Sequence, residues 1–112
     1  MGPREPLRAI WHGAQATACL DLGDAQGAFE VAQRGIAVNP NYPQFCIVGA
    51  AAAQRLGAHA QARGWVATLR DRTAFSSLAA VRGRLARTYD PATLASLEAM
   101  VELLREAGLP EA

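Results

Sequence analysis

The sequence predicts an all-α fold: two repeats of a helical hairpin, then a capping pair of helices, about six helices in all. Three observations carry this expectation. Laid on itself at an offset of 34, the chain brings Trp11 onto Phe45, Ala16 onto Ala50, Leu22 onto Leu56, Gly23 onto Gly57 and Ala28 onto Ala62. A fixed period in this range marks stacked units, each a helix pair that cannot bury its apolar face alone. The 51% apolar content leans on alanine, which suits thin helices packed closely and not a thick sheet core. Glycine and proline punctuate the chain where hairpins would turn.

The first helix is expected from about Leu7 to Leu22, with Gly23 supplying the left-handed turn at its end. Asp24 is placed to cap a second helix, Ala25 to Val38. "NPNYP" breaks it, and Pro43 opens a third helix that runs to Leu56 and ends at Gly57 as the first did at Gly23. The fourth spans His59 to Arg70, and Phe75 to Arg87 reads as a fifth with a shortened apolar face. The last begins with Asp90 as cap and Pro91 in the first position, carries Leu94, Leu97, Val101 and Leu104 on one stripe, and stops at Gly108 and Pro110. This divides one domain, residues 1–112, into repeats at about 7–40 and 43–72 and capping helices at about 75–108. Small residues at Ala16, Ala28, Ala50 and Ala62 fit crossings where helix axes approach within about 8 Å. A leucine at Ala28 or Ala62 is expected to cost about 1–3 kcal/mol by overpacking.

No apolar run approaches the roughly 20 residues of a membrane span. "MGPREPLRAIW" holds arginine, proline and glutamate where a signal peptide needs an apolar stretch. A cytoplasmic protein without a membrane partner is therefore expected. The helical pattern begins almost at Met1, as in a downstream fragment of a longer regulator. Lysine is absent, and arginine use beside abundant alanine and glycine is the coding bias of a GC-rich bacterial genome.

The period and the small residues resemble the tetratricopeptide repeat, whose pattern runs Trp, Leu, Gly, Tyr on the first helix, Ala and Phe on the second, then Pro. Those places are held by His12, Gln15, Ala16, Cys19, Ala28, Ala32 and Pro40 in the first repeat. In the second they are held by Cys46, Gly49, Ala50, Ala53, Ala62, Val66 and Ala74. "PLRAIWHGAQATACLDLGDAQGAFEVAQRGIAVNPNYP" and the closing "LLREAGLPE" resemble the C-terminal tetratricopeptide region of bacterial signalling proteins, which follows an adenylate cyclase or winged-helix domain. The resemblance implies a right-handed α-α superhelix and an interaction role. It carries no cyclase chemistry, since no metal-binding carboxylates or nucleotide-binding segment precede Leu7.

No catalytic constellation, phosphate loop or dinucleotide fingerprint is present, so no enzyme, cofactor or metal is expected. His12 and His59 have no second ligand at metal spacing. Cys19 and Cys46, singly on the first helices of adjacent repeats, are expected to be small core residues without a disulfide. Ser76 and Ser77 read as helix caps.

Charge is uneven. Arg55 to Arg87 holds seven arginines against Asp71 alone, whereas Thr88 onward holds Arg105 against Asp90, Glu98, Glu102, Glu106 and Glu111. Arg63, Arg70, Arg82, Arg84 and Arg87 form a candidate basic surface, with internal neutralisation by the acidic last helix the favoured reading. Near-neutral net charge and few aromatics weigh against nucleic acid as partner. The first helices of the pairs are expected to line a partner groove at Gly13, Thr17, Leu20, Asp21, Gln44, Val48, Ala51 and Arg55. Small, apolar walls would suit a helix laid in by its apolar face. The protein's own last helix or a second copy could equally fill the groove. Trp11, Phe45 and Trp65 are the large residues that mark either core or a self-association patch, with Phe45 assigned to the core.

The expected function is a non-catalytic protein-binding scaffold, the regulatory repeat portion of a bacterial signalling protein. Its partner would be a protein or peptide, a second copy included. The alternatives are an arginine-rich module touching nucleic acid in a transcriptional regulator, and a small-molecule sensor pocket between the repeats.

Overall fold

The computed structural model describes residues 5–88 and 94–112. Among these it is all-α, with six helices and no strand: α1 (Glu5–Asp21), α2 (Ala25–Val38), α3 (Pro43–Arg55), α4 (His59–Arg72), α5 (Leu78–Thr88) and α6 (Leu94–Glu106). The expected cap at Asp90 and Pro91 lies outside the described residues.

One C-terminal device closes three helices. Gly23, Gly57 and Gly108 have φ of +86°, +80° and +104°, which side chains disfavour. At each, the glycine N–H donates to the carbonyl three residues back, and the next N–H donates five back. The pairs are Leu20 and Cys19, Gln54 and Ala53, and Arg105 and Leu104. These bonds satisfy carbonyls that a helix end leaves unpaired. Asp24 caps α2 as expected, its Oδ1 accepting from Gly27 N at 2.9 Å.

Four helices form two stacked hairpins, with α1 on α2, α2 on α3, α3 on α4, and α1 also touching α3. The small residues singled out by the period, Ala16, Ala28, Ala50 and Ala62, are fully buried. At the crossing of α2 and α3, Gly35 leaves room for the Phe45 ring. A Cβ on Gly35 would lie 2.3 Å from Phe45 Cε1. At the crossing of α3 and α4, Gly49 does the same for Trp65, whose ring stands edge-on to Phe29 at 6.1 Å.

α3 is buried without interruption from Gln44 to Ala53. A helix apolar on every side must be covered on every side. α6 supplies the last cover, packing on α3. Leu97, Met100, Val101 and Leu104 of α6 join Leu20, Val48 and Ala51 in one continuous core cluster.

α5 begins at Leu78, later than the expected Phe75. Ser77 is the cap, its Oγ accepting from Ala80 N at 3.2 Å, while Phe75 stays in the connection with its N–H on Thr73 Oγ1. Two more amides of the first turn are answered from far along the chain. Leu78 N donates to Pro110 O at 2.7 Å and Ala79 N to Glu111 O at 3.0 Å. Leu109 beside them is buried, and Arg105 of α6 holds the Glu111 carboxylate through Nη2 at 2.6 Å. The closing phrase "GLPE" thus ties α5 to α6.

Candidate interaction surface

The groove expected between the first helices is occupied. Gly13, Thr17, Leu20, Gln44, Val48 and Ala51 are buried, and only Asp21 and Arg55 of the eight candidates are exposed. The reason is apolar area. A trough floored by Leu20, Val48 and Ala51 is stabilised by covering, at roughly 25 cal/mol per Å² removed from water, and α6 carries a matching apolar stripe.

The polar members of that trough bond to one another. Thr17 Oγ1 donates to Gly13 O at 2.9 Å and accepts from Gln44 Nε2 at 2.8 Å. Gln44 Oε1 in turn accepts from Arg84 Nε at 3.3 Å. Buried amides and hydroxyls need such partners. The result is a polar chain running from α1 through α3 to α5. Arg55 Nη1 donates to Leu20 O at 2.9 Å, tying α3 to the end of α1. A cavity of about 230 Å³ remains beside Arg55, with Leu20, Asp21 and Gly23 on one wall and Ala95, Ser96, Ala99 and Met100 of α6 on the other.

The five arginines of the candidate basic surface divide. The Arg84 guanidinium lies between two rings, 5.6 Å from the centre of Tyr42 and 5.2 Å from that of Phe75. Such placement over ring faces is attractive, and it serves the fold. Arg82 pairs with Glu98 of α6 at 3.5 Å, one instance of the neutralisation expected between the basic stretch and the acidic helix. Arg63, Arg70 and Arg87 are exposed, two on α4 and one on α5. Arg105, on α6 itself, bridges Glu102 and Glu111, and its pKa is raised, first by the hydrogen bond to Glu111.

Neither cysteine forms a disulfide: Cys46 is buried and Cys19 half-buried. Burial pushes the Cys46 thiol up from 9.0 to about 11, partly offset by the charge of Arg72. Between those values the unfolded chain has lost a proton that the folded chain keeps, so stability falls as pH rises from 9.0 and the loss is complete above about 11. A two-unit shift corresponds to about 2–3 kcal/mol. Comparing urea midpoints at the two ends of that range with those of Cys46→Ala isolates the effect. An unchanged pH slope in the variant would remove Cys46 as its source.

Among the described residues, large apolar side chains stay uncovered on the first hairpin. Trp11 is 79% exposed, although its counterpart Phe45 is fully buried. Leu22 and Val38 are exposed on the same hairpin. Between α1 and α2 lies a cavity of about 450 Å³, lined by His12, Gln15, Val31, Arg34, Gly35, Val38 and Asn39. A second groove, of about 390 Å³, runs between α2 and α4 over Phe29, Ile36 and Trp65, with Arg72 at its rim. Periodicity marked Trp11 as large and helical, whereas its exposure shows only in the packing.

Among the described residues no group of three histidine, cysteine or acidic side chains could hold a metal ion, and no helix is long and apolar enough to cross a membrane. No family model, curated protein or solved structure matches the chain.

Proposed function

We propose that the chain is a non-catalytic, tetratricopeptide-like interaction module that serves as the regulatory portion of a bacterial signalling protein and binds a helical segment of another protein. The observation that supports this reading most is the contrast between Trp11 and Phe45. The two stand 34 residues apart on equivalent helices, one 79% exposed and one fully buried. Phe45 is buried because α2 offers Gly35 to its ring. Among the described residues no helix covers Trp11 in that way. A partner helix with a small residue opposite the indole would bury it by the same geometry.

The arginines support a nucleic-acid partner less well, because Arg82 and Arg84 are committed within the fold. The concave trough is likewise closed to a ligand unless α6 leaves it.

The test uses a 14-residue peptide reproducing Ala25–Val38, the helix that receives Phe45. So short a helix forms at a cost, which sets the expected Kd at about 0.1–1 mM. In a Trp65→Phe chain, Trp11 emission should shift to the blue as peptide is added. The shift should vanish when the peptide carries leucine in place of Gly35. A flat titration up to millimolar peptide would sink the reading.

A further inference from the structure

We propose that the cavity between α1 and α2 binds a small organic acid, its carboxylate held by Arg34 and an aromatic or aliphatic body lying over Val31, Gly35 and Val38. This is a site for a free ligand, separate from the binding of a helical segment. At about 450 Å³ the cavity falls in the usual range of small-molecule sites, roughly 300–1,000 Å³. Such sites combine an apolar lining with a few polar groups that converge on the ligand.

Both parts are present. Val31 and Gly35 are buried and give an apolar floor, and Val38, exposed at the end of α2, adds an apolar wall. His12 and Gln15 of α1 and Arg34 and Asn39 from the far half of the second helix supply the polar lining. Among the described residues none of these four side chains makes a hydrogen bond or an ion pair within the fold. The polar side chains of the covered trough behave differently, since Thr17, Gln44 and Arg84 bond to one another. Four polar groups thus border one apolar floor with their hydrogen-bonding capacity unspent.

Charge selects the ligand. Among the described residues that line the cavity, Arg34 is the only arginine and none is acidic. Glu30, one turn before Arg34, instead accepts from Gln26 Nε2 at 3.2 Å. The carbonyl end of α2 contributes about half a negative charge, less than the full charge of Arg34. The Asn39 backbone N–H already answers the Gly35 carbonyl there. A cationic ligand would therefore meet repulsion, and a neutral one would strip water from Arg34 without replacing it. A carboxylate accepts both prongs of a guanidinium in one plane, and the Gln15 and Asn39 amides can donate to its remaining lone pairs. One arginine matches one negative charge, which favours a monocarboxylate over a doubly charged phosphate ester.

The experiment titrates the full chain with naphthalene carboxylate and with its neutral carboxamide, read by calorimetry and by thermal melting. The carboxylate is expected to bind with a Kd of about 0.1–1 mM, as suits a ligand of about a dozen heavy atoms. At about ten times Kd it should raise the melting temperature by about 5 °C. The carboxamide should bind about tenfold more weakly, the worth of a charge-assisted hydrogen bond. Arg34→Gln should lower the carboxylate to the affinity of the carboxamide and leave the carboxamide unchanged; Arg34 is exposed, so the fold is not at stake. Val38→Ser should weaken both ligands alike, because it removes part of the wall they share. Absence of carboxylate binding up to about 10 mM overturns the proposal, as does equal affinity for the two ligands. Carboxylate binding that survives Arg34→Gln, or affinities unmoved by Val38→Ser, would overturn it as well.

Discussion

Replacing Phe45 with alanine is expected to cost about 3–5 kcal/mol, read as a fall in the urea midpoint at unchanged slope. A domain of this size has about 5–15 kcal/mol of stability in total, so the variant should lie near the limit of folding. Phe45 is fully buried, sits on Gly35 of α2, and meets the Tyr42 ring edge-on at 5.1 Å. Its removal leaves a cavity bordered by backbone on one side, and helix backbones relax little into such a space. The same contact read from the other side gives a matching result. Gly35→Ala would put a Cβ 2.3–2.6 Å from three ring atoms, and Tyr42 limits how far the ring can turn. About 1–3 kcal/mol of overpacking is expected. Combined with Phe45→Leu, the cost should be well below the sum of the single changes, because one clash is being counted twice. A Gly35→Ala variant as stable as the parent would show that α2 and α3 do not meet in this way.

Deleting residues 109–112 is expected to cost about 3–5 kcal/mol, a large effect for a segment with no secondary structure of its own. Leu109 is 2% exposed, and burying such a side chain contributes about 1.5–3 kcal/mol. The deletion also removes the carbonyl acceptors of Leu78 N and Ala79 N, at about 1 kcal/mol each. The bond from Leu109 N to Leu104 O that closes α6 goes with them. The loss should be local before it is global. Hydrogen exchange should quicken first at Leu78 and Ala79, then through α5, while α2 and α3 keep their protection. Intact protection at the start of α5 in the shortened chain would contradict the tie between the tail and that helix.

The two results separate what near neighbours dictate from what distant ones do. Periodicity and turn chemistry are local, and they located α2 to the residue and α3 and α4 nearly so. Gly23, Gly57 and Gly108 end helices because left-handed backbone is cheap there, a property readable from the residue alone. Ala28 and Ala62, equivalent in the repeat, are both fully buried. The start of α5 was misplaced because Phe75 continues a helical pattern, whereas the true boundary is set by Ser77 and by carbonyls more than thirty residues away. The arginines looked alike in sequence. Only packing distinguished Arg84 between its two rings from Arg63 and Arg70 on the open side of α4.

By itself the sequence determined that the chain is helical, that its hairpins repeat every 34 residues, and where most of those helices end. It did so because helix period, capping and glycine turns involve residues only a few positions apart. The tertiary structure decided which surfaces remain available. It laid α6 over the trough of Leu20, Val48 and Ala51, and it left Trp11 in water while burying Phe45. Burial depends on which apolar faces find each other in space, so two residues equivalent in the repeat, Trp11 and Phe45, meet opposite fates.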